Sequence, residues 1–198
     1  PVDNVVAFFP SPVDAAIEHH RNFSRTNLPI DLLFCGRVNK DASDRAGFLG
    51  QLRERLSGLN FDVNGVFGAP LVFGVGYDRK LAASRMGLNY SRRNDCTLYS
   101  SDRLWQLAGN GLLTLTPRVP GMDRLFTEDE VVYFDSIDDL VESAHRFHRD
   151  DAARQRVAEA GWRRAQRSFD TKRVATYMVE TIYRMPFTES YEWADQVI

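Results

Sequence analysis

The chain has 198 residues, 43% of them hydrophobic and 26% charged, with a formal net charge of -2. That length supports one substantial core, and the near-neutral balance gives no overall attraction to nucleic acid or anionic lipid. No apolar run approaches the roughly 20 residues that cross a bilayer, and the N-terminus, Pro-Val-Asp-Asn-Val-Val, lacks the basic and apolar regions of a signal peptide.

Residues 1–29 carry weak periodicity and read as an extended interdomain lead-in, with one helical turn near Asp14 to His20. Regular structure is expected from Ile30. The run Ile30-Asp31-Leu32-Leu33-Phe34-Cys35 ends at Gly36 and suits a buried strand. Asp41 or Ser43 is placed to cap the next helix, marked by Phe48, Leu49, Leu52 and Leu56 and ended by Gly58. Phe61-Asp62-Val63 reads as a second strand. Residues 64–76 are glycine-rich, with Leu71-Val72-Phe73 as a short strand inside them.

Tyr77 to Arg85 reads as a helix and Met86 to Tyr90 as a strand. Leu104, Leu107 and Ala108 mark a short helix, and Gly111 to Thr116 a strand stopped by Pro117. Val131 to Phe134 is the last strand. Three helices close the chain, marked by Leu140, Ala144 and Phe147, then Ala153, Val157, Ala160 and Ala165, then Val174, Met178 and Ile182. The second is expected to be broken softly at Gly161. This alternation implies an α/β domain: a mostly parallel, Rossmann-like sheet flanked by helices, followed by C-terminal helices. The expected division is 1–29, a domain over 30–184, and a tail over 185–198.

Cys35 and Cys96 follow no metal-ligand spacing and read as reduced structural thiols, which favours a reducing, cytoplasmic compartment. No metal ligands are assigned: His19, His20, His145 and His148 form no recognised motif, and the last two read as a solvated helix face. Residues 122–142 hold eight acids and one Arg, whereas residues 145–173 hold nine Lys or Arg and four acids. The basic stretch reads as solvated helix surface. A peripheral contact with a membrane or another polyanion is the alternative.

Two loops carry candidate chemistry. Gly36 allows close backbone approach after a strand, and Arg37 beside it can pair with phosphate oxygens in two-pronged fashion. The competing reading is a turn glycine and a surface arginine. In the second loop Ser101 or Asp102 can cap a helix whose first turn holds Arg103. A cation there is unfavourable unless an anion neutralises it. Gln106 lies one turn on, on the same face, and suits ribose hydroxyls. The competing reading pairs Arg103 with Asp102 or another carboxylate. Trp105 reads as core.

The order of segments resembles the C-terminal domain of the CgeB-like (spore maturation protein type) glycosyltransferases. Asp31-Leu32-Leu33-Phe34-Cys35-Gly36-Arg37 is similar to their "D-l-x-F-x-G" strand, and Tyr77 through Asn89 to "y-x-x-x-l-x-x-s-x-i-x-l-N". Ser101 through Leu113 is similar to "R-x-f-E-a-l-A-c-G-g-l". Leu125-Phe126, Glu130-Val131 and Tyr133 follow "l-f-x-x-g-x-e-v-x-x-y", and Asp139-Leu140 with the helix through Ala158 to Gly161 follows the closing pattern. The likeness spans about residues 30–184.

The resemblance implies a two-domain GT-B fold whose C-terminal half binds a nucleoside-diphosphate sugar without a metal or other cofactor. It implies Arg103 for the diphosphate and Gly111 for close helix–strand packing. The ribose-binding Glu of the motif is Gln106 here, a neutral group with one acceptor oxygen in place of a carboxylate. The candidate nucleotide-sugar residues are therefore Gly36, Arg37, Ser101, Arg103, Gln106 and Gly111, with no catalytic residue assigned. The acceptor is expected to be a hydroxyl of a glycan, lipid-linked molecule or protein. A complete GT-B enzyme carries a further N-terminal domain, and the missing initiator Met agrees with a chain that is part of a longer one. A non-catalytic pseudo-glycosyltransferase module used for protein assembly is the second expectation. A flavodoxin-like phosphate-binding or signalling domain is the third.

Overall fold

The computed structural model describes residues 6–37 and 43–195. Five strands form one sheet: β1 (Ile30–Cys35), β2 (Phe61–Asn64), β3 (Ser84–Leu88), β4 (Leu113–Pro117) and β5 (Val132–Phe134). Their order is β2-β1-β3-β4-β5, and every adjacent pair is parallel. The helices are α1 (Ser43–Arg55), α2 (Gly74–Ala82), α3 (Arg103–Gly109), α4 (Ile137–Arg149), α5 (Asp151–Ser168) and α6 (Thr171–Ile182). The direction of winding reverses between β1 and β3. That reversal opens a crevice outside the carboxyl ends of the two strands, where open α/β sheets bind ligands.

Alternation along β1 builds both layers. Leu32 and Phe34 pack with Leu49 and Leu52 of α1 and Leu140 and Ala144 of α4 on one face. Leu33 packs with Leu81 of α2 and Leu107 of α3 on the other. A third cluster gathers Trp105, Phe126, Phe169 and Tyr177 around Trp193, which is fully buried. Val13 joins it from the opposite end of the chain, donating its N–H to the Phe169 carbonyl at 2.7 Å and accepting from Thr171 N–H at 3.0 Å. The expected turn near Asp14 forms, with Glu18 N–H bonded to the Asp14 carbonyl at 2.7 Å.

Several expectations are corrected. Leu71-Val72-Phe73 is not a strand: Gly65, at φ +84°, turns the chain out of β2, and Leu71 and Val72 line a cavity instead. The helix expected over Tyr77–Arg85 starts at Gly74 and stops at Ala82, because Ser84 pairs with Ile30 and begins β3. Helix α1 ends at Arg55, three residues before Gly58, and the proposed cap Asp41 lies outside the described residues. Helix α5 runs unbroken through Gly161, where a Cβ would stand 2.2 Å from the Glu130 carbonyl oxygen. That glycine seats the helix against the loop before β5.

The basic stretch is also more internal than expected. Arg154 has no exposed surface and pairs with Asp151 at 2.6 Å and the Arg25 carbonyl at 2.9 Å. Arg173 binds Glu189 and Glu192, and Arg164 binds Glu192. His148 is not part of a solvated face: its Nδ1 contacts Asp31 at 2.9 Å, beside Arg85.

Candidate functional site

The crevice between β1 and β3 holds a cavity of about 340 Å³ lined by Cys35, Gly36, Arg37, Leu71 to Gly74, Tyr77, Asp102, Arg103 and Gln106. Four of the residues singled out in the sequence, Gly36, Arg37, Arg103 and Gln106, thus meet there. Arg103 spans the crevice. Its Nε donates to the Cys35 carbonyl at the end of β1 (2.7 Å), and Nη1 donates to the Tyr90 carbonyl beyond β3 (3.4 Å). The guanidinium lies 4.9 Å from the Phe34 ring centre. Only 8% of the residue is exposed, and burial pulls its pKa down against the opposing pull of Tyr77, Asp102 and Cys35. Its hydrogen bonds among the described residues go to carbonyls, not to the carboxylate of the competing reading.

A second arginine, missed in the sequence, completes the arrangement. Arg45, in the first turn of α1, is 7% exposed and lies over the same Phe34 ring at 5.0 Å. Nη1 reaches the Arg37 carbonyl at 3.5 Å, while Nε and Nη2 have no hydrogen-bond partner among the described residues. Burial, then the charges of Arg103 and Arg92, bring its pKa down to about 10. The signal available was the one that singled out Arg103: a cation in the first turn of a helix that follows a strand and a glycine.

Gly36 explains how two like charges come so close to one backbone. A Cβ there would lie 2.8 Å from Nη2 of Arg103 and 2.8 Å from Nη2 of Arg45. Burial also raises Cys35, which lines the cavity, to about 12, so its thiol stays protonated. Neither cysteine is in a disulfide.

Ser101 and Gly111 stand apart. Ser101 does not cap α3, and neither does the side chain of Asp102. The Ser101 hydroxyl instead donates to Asn89 Oδ1 at 3.4 Å. Buried Asn89 also donates to Ser100 and Thr116, both at 3.0 Å, and so ties down the loop that delivers Arg103. Gly111 lies before β4, at the opposite edge of the sheet, against Phe23 and Asn22 of the N-terminal segment. The close approach of α3 to the sheet rests on Gly87, where a Cβ would be 2.4 Å from Leu107 Cδ2. Gln106 faces the cavity with its amide 3.4 Å from Asp102 Oδ2. Trp105 is core, edge-on to Phe169.

Solved structures share this fold at low identity. The Anabaena Alr3699/HepE protein in complex with UDP-glucose superposes with a TM-score of 0.61 at 10% identity, over 80% of this chain and 50% of its own. An α1,3-fucosyltransferase gives 0.58 at 12% identity, over 92% of this chain and 54% of its own. This chain therefore spans about half the length of these two proteins. The C-terminal domain of a glycosyl transferase group 1 family protein (LpcC) from Francisella tularensis gives 0.54 at 10% identity. It is covered over 99% of its length, by 80% of this chain. No curated protein sequence matches the chain. No described helix is long and apolar enough to cross a membrane. The sequence model of the glycosyl transferase-like family matches residues 45–180, which is more than half of the chain and contains both arginines, and the chain belongs to that family.

Proposed function

We propose that this chain is the donor-binding half of a metal-independent GT-B glycosyltransferase of the CgeB-like kind. It would work in the cytoplasm, moving a sugar from a nucleoside diphosphate to a hydroxyl of a glycan, lipid-linked or protein acceptor. One observation carries the reading: two buried guanidinium groups, Arg45 and Arg103, converge on Gly36 at the crevice of the sheet with no carboxylate partner in the contacts described. Buried cations in that state are costly, and a diphosphate supplies the missing charge and acceptor oxygens together.

The chemistry follows from that placement. As the bond between the anomeric carbon and the diphosphate oxygen breaks, its electron pair moves onto the departing diphosphate. Guanidinium groups already fixed by carbonyls and by Phe34 stabilise that charge without reorganising. The acceptor hydroxyl forms the new bond and gives its proton to a base on a complementary N-terminal domain. Arg37 adds a charge at the mouth of the cavity, and Gln106 offers its amide to the ribose. Exposed Phe73 and Val75 beside the cavity provide apolar surface for the second domain to close on. The neighbours solved with UDP-glucose and GDP-fucose support a nucleotide sugar as the ligand class.

The test is thermal. UDP, GDP or a related nucleoside diphosphate raises the melting temperature, and Arg103→Ala removes the rise. A folded chain that shows no rise with any of them at millimolar concentration overturns the reading and leaves the assembly module in its place.

A further inference from the structure

Away from the two arginines, the N-terminal segment and helix α2 bring three potential ligands together. One ring nitrogen each of His19 and His20 and one carboxylate oxygen of Asp78 lie within 4.8 Å of one another. We propose that His19, His20 and Asp78 hold a zinc-class divalent cation. This inference does not depend on the glycosyltransferase reading.

The donor set selects the class of ion. Two imidazoles and one carboxylate suit zinc and its borderline neighbours, whereas magnesium and calcium favour oxygen ligands alone. Zinc binds such groups at about 2.0–2.2 Å, which places tetrahedral ligand atoms about 3.3 Å apart. His20 Nε2 and Asp78 Oδ1 are already 2.8 Å apart. The ligand atoms lie at most 4.8 Å apart, so closing them needs a movement of no more than about 1.5 Å, and His19 is exposed to solvent.

The surroundings hold the ligands in place. The His20 backbone N–H donates to Asn110 Oδ1 at 3.2 Å, and its ring lies 4.3 Å from that of His19. His19 Nδ1 contacts the Ile17 carbonyl at 2.9 Å. That outer hydrogen bond fixes the tautomer and leaves Nε2 with the lone pair, the usual arrangement around a ligating imidazole. The Glu18 carbonyl accepts from Gln166 Nε2 at 2.6 Å, anchoring the segment to α5. Asp78 sits in the middle of α2, so a bound ion joins two elements separated by 58 residues. His19 and Asp78 also line a second cavity that shares Gly74, Tyr77 and Gln106 with the first. The ion is a clip at the margin of that shared wall, and its remaining positions are open to water.

The experiment uses the full chain stripped of metal with a chelator. Zinc chloride is titrated by calorimetry near neutral pH in a weakly coordinating buffer, and cobalt(II) absorption reports the ligand field. The expected result is one ion per chain, a raised melting temperature without nucleotide, and no response to magnesium chloride. His19→Ala and Asp78→Asn should each weaken zinc binding about tenfold or more, while His145→Ala leaves it unchanged. Asp78→Asn keeps the shape of the carboxylate, and circular dichroism confirms that each variant folds. No zinc binding by the wild-type chain, or undiminished binding by both folded variants, overturns the proposal.

Discussion

Arg45 and Arg103 reach the Phe34 ring from two different helices, at 5.0 and 4.9 Å, and aim their Nη2 atoms at the same glycine. Burial lowers the pKa of both, and for Arg45 the charge of Arg103 is the next cause. In the free protein this pairing works against stability. In the diphosphate complex proposed above it would become the source of affinity.

Arg45→Met separates those two effects. The thioether keeps the contact with Phe34 and removes a buried, under-bonded charge. Replacing buried ionic groups by apolar ones is often neutral or stabilising, so urea denaturation should show unchanged stability or a gain of up to about 1 kcal/mol. Nucleoside-diphosphate affinity should fall about tenfold or more, the loss expected for one charge-assisted hydrogen bond. A variant that loses stability and keeps its affinity would show that the guanidinium is structural.

Gly36→Ala should act on the ligand and hardly on the fold. The new methyl meets the guanidinium ends of Arg103 and Arg45, both at 2.8 Å, and the rim of the Phe34 ring at 3.1 Å, and the Nη2 ends are the parts that must give way. Stability should stay within about 1 kcal/mol of wild type. The nucleotide-dependent rise in melting temperature should vanish, because the two guanidinium groups no longer converge.

Gln106→Glu places a carboxylate on the cavity wall. Two strong acceptor oxygens should hold ribose hydroxyls better than one amide oxygen, so affinity for UDP or GDP should rise. The gain should shrink for the matching deoxyribonucleotide. Asp102, 3.4 Å from the present amide, opposes the new charge. The free variant should therefore be slightly less stable than wild type.

Gly161→Ala sets two effects of different size against each other. Alanine in place of glycine inside a helix favours it by about 1 kcal/mol. A Cβ at 2.2 Å from the Glu130 carbonyl oxygen, a backbone atom that cannot rotate away, forces α5 off the loop before β5. Overpacking of this kind costs about 1–3 kcal/mol, so denaturation should show a net loss.

Asp151 governs part of the acid limb of stability. Burial alone would raise its pKa, but hydrogen bonds from Arg154 and Arg85 outweigh that and leave it lowered. A lowered carboxyl contributes stability above its unfolded value of about 3.9, and that contribution is lost as the pH falls through the folded value. Asp151→Asn should cost about 2 kcal/mol at neutral pH, since Arg154 has no exposed surface and keeps only carbonyl partners. The difference from wild type should narrow as the solution is acidified.

Strands such as Ile30–Cys35 were legible because a buried parallel strand is an apolar run ended by a turn residue. Arg103 was legible because a cation in a first helical turn asks for an explanation. Arg45 occupies the same kind of position, yet in sequence it merges with the other polar positions of α1. What buries it is Phe34, on a different element. Gly111 and Gly87 exchange expectations for a similar reason. Gly87 lies inside β3 and Gly111 between α3 and β4, and only the packing shows that Leu107 sits on Gly87 while Phe23 covers Gly111. The placement of β3 beside β1, which creates the crevice, follows from pairing between segments more than fifty residues apart and leaves no local trace.

Val13 and Trp193, near opposite ends of the polypeptide, close over the same aromatic cluster as Trp105 and Phe169. A shortened version cut to the family match at residues 45–180 would discard both of these lids, together with the interior strand β1. Such a truncate should be insoluble, and affinity tags belong beyond these two residues rather than in place of them.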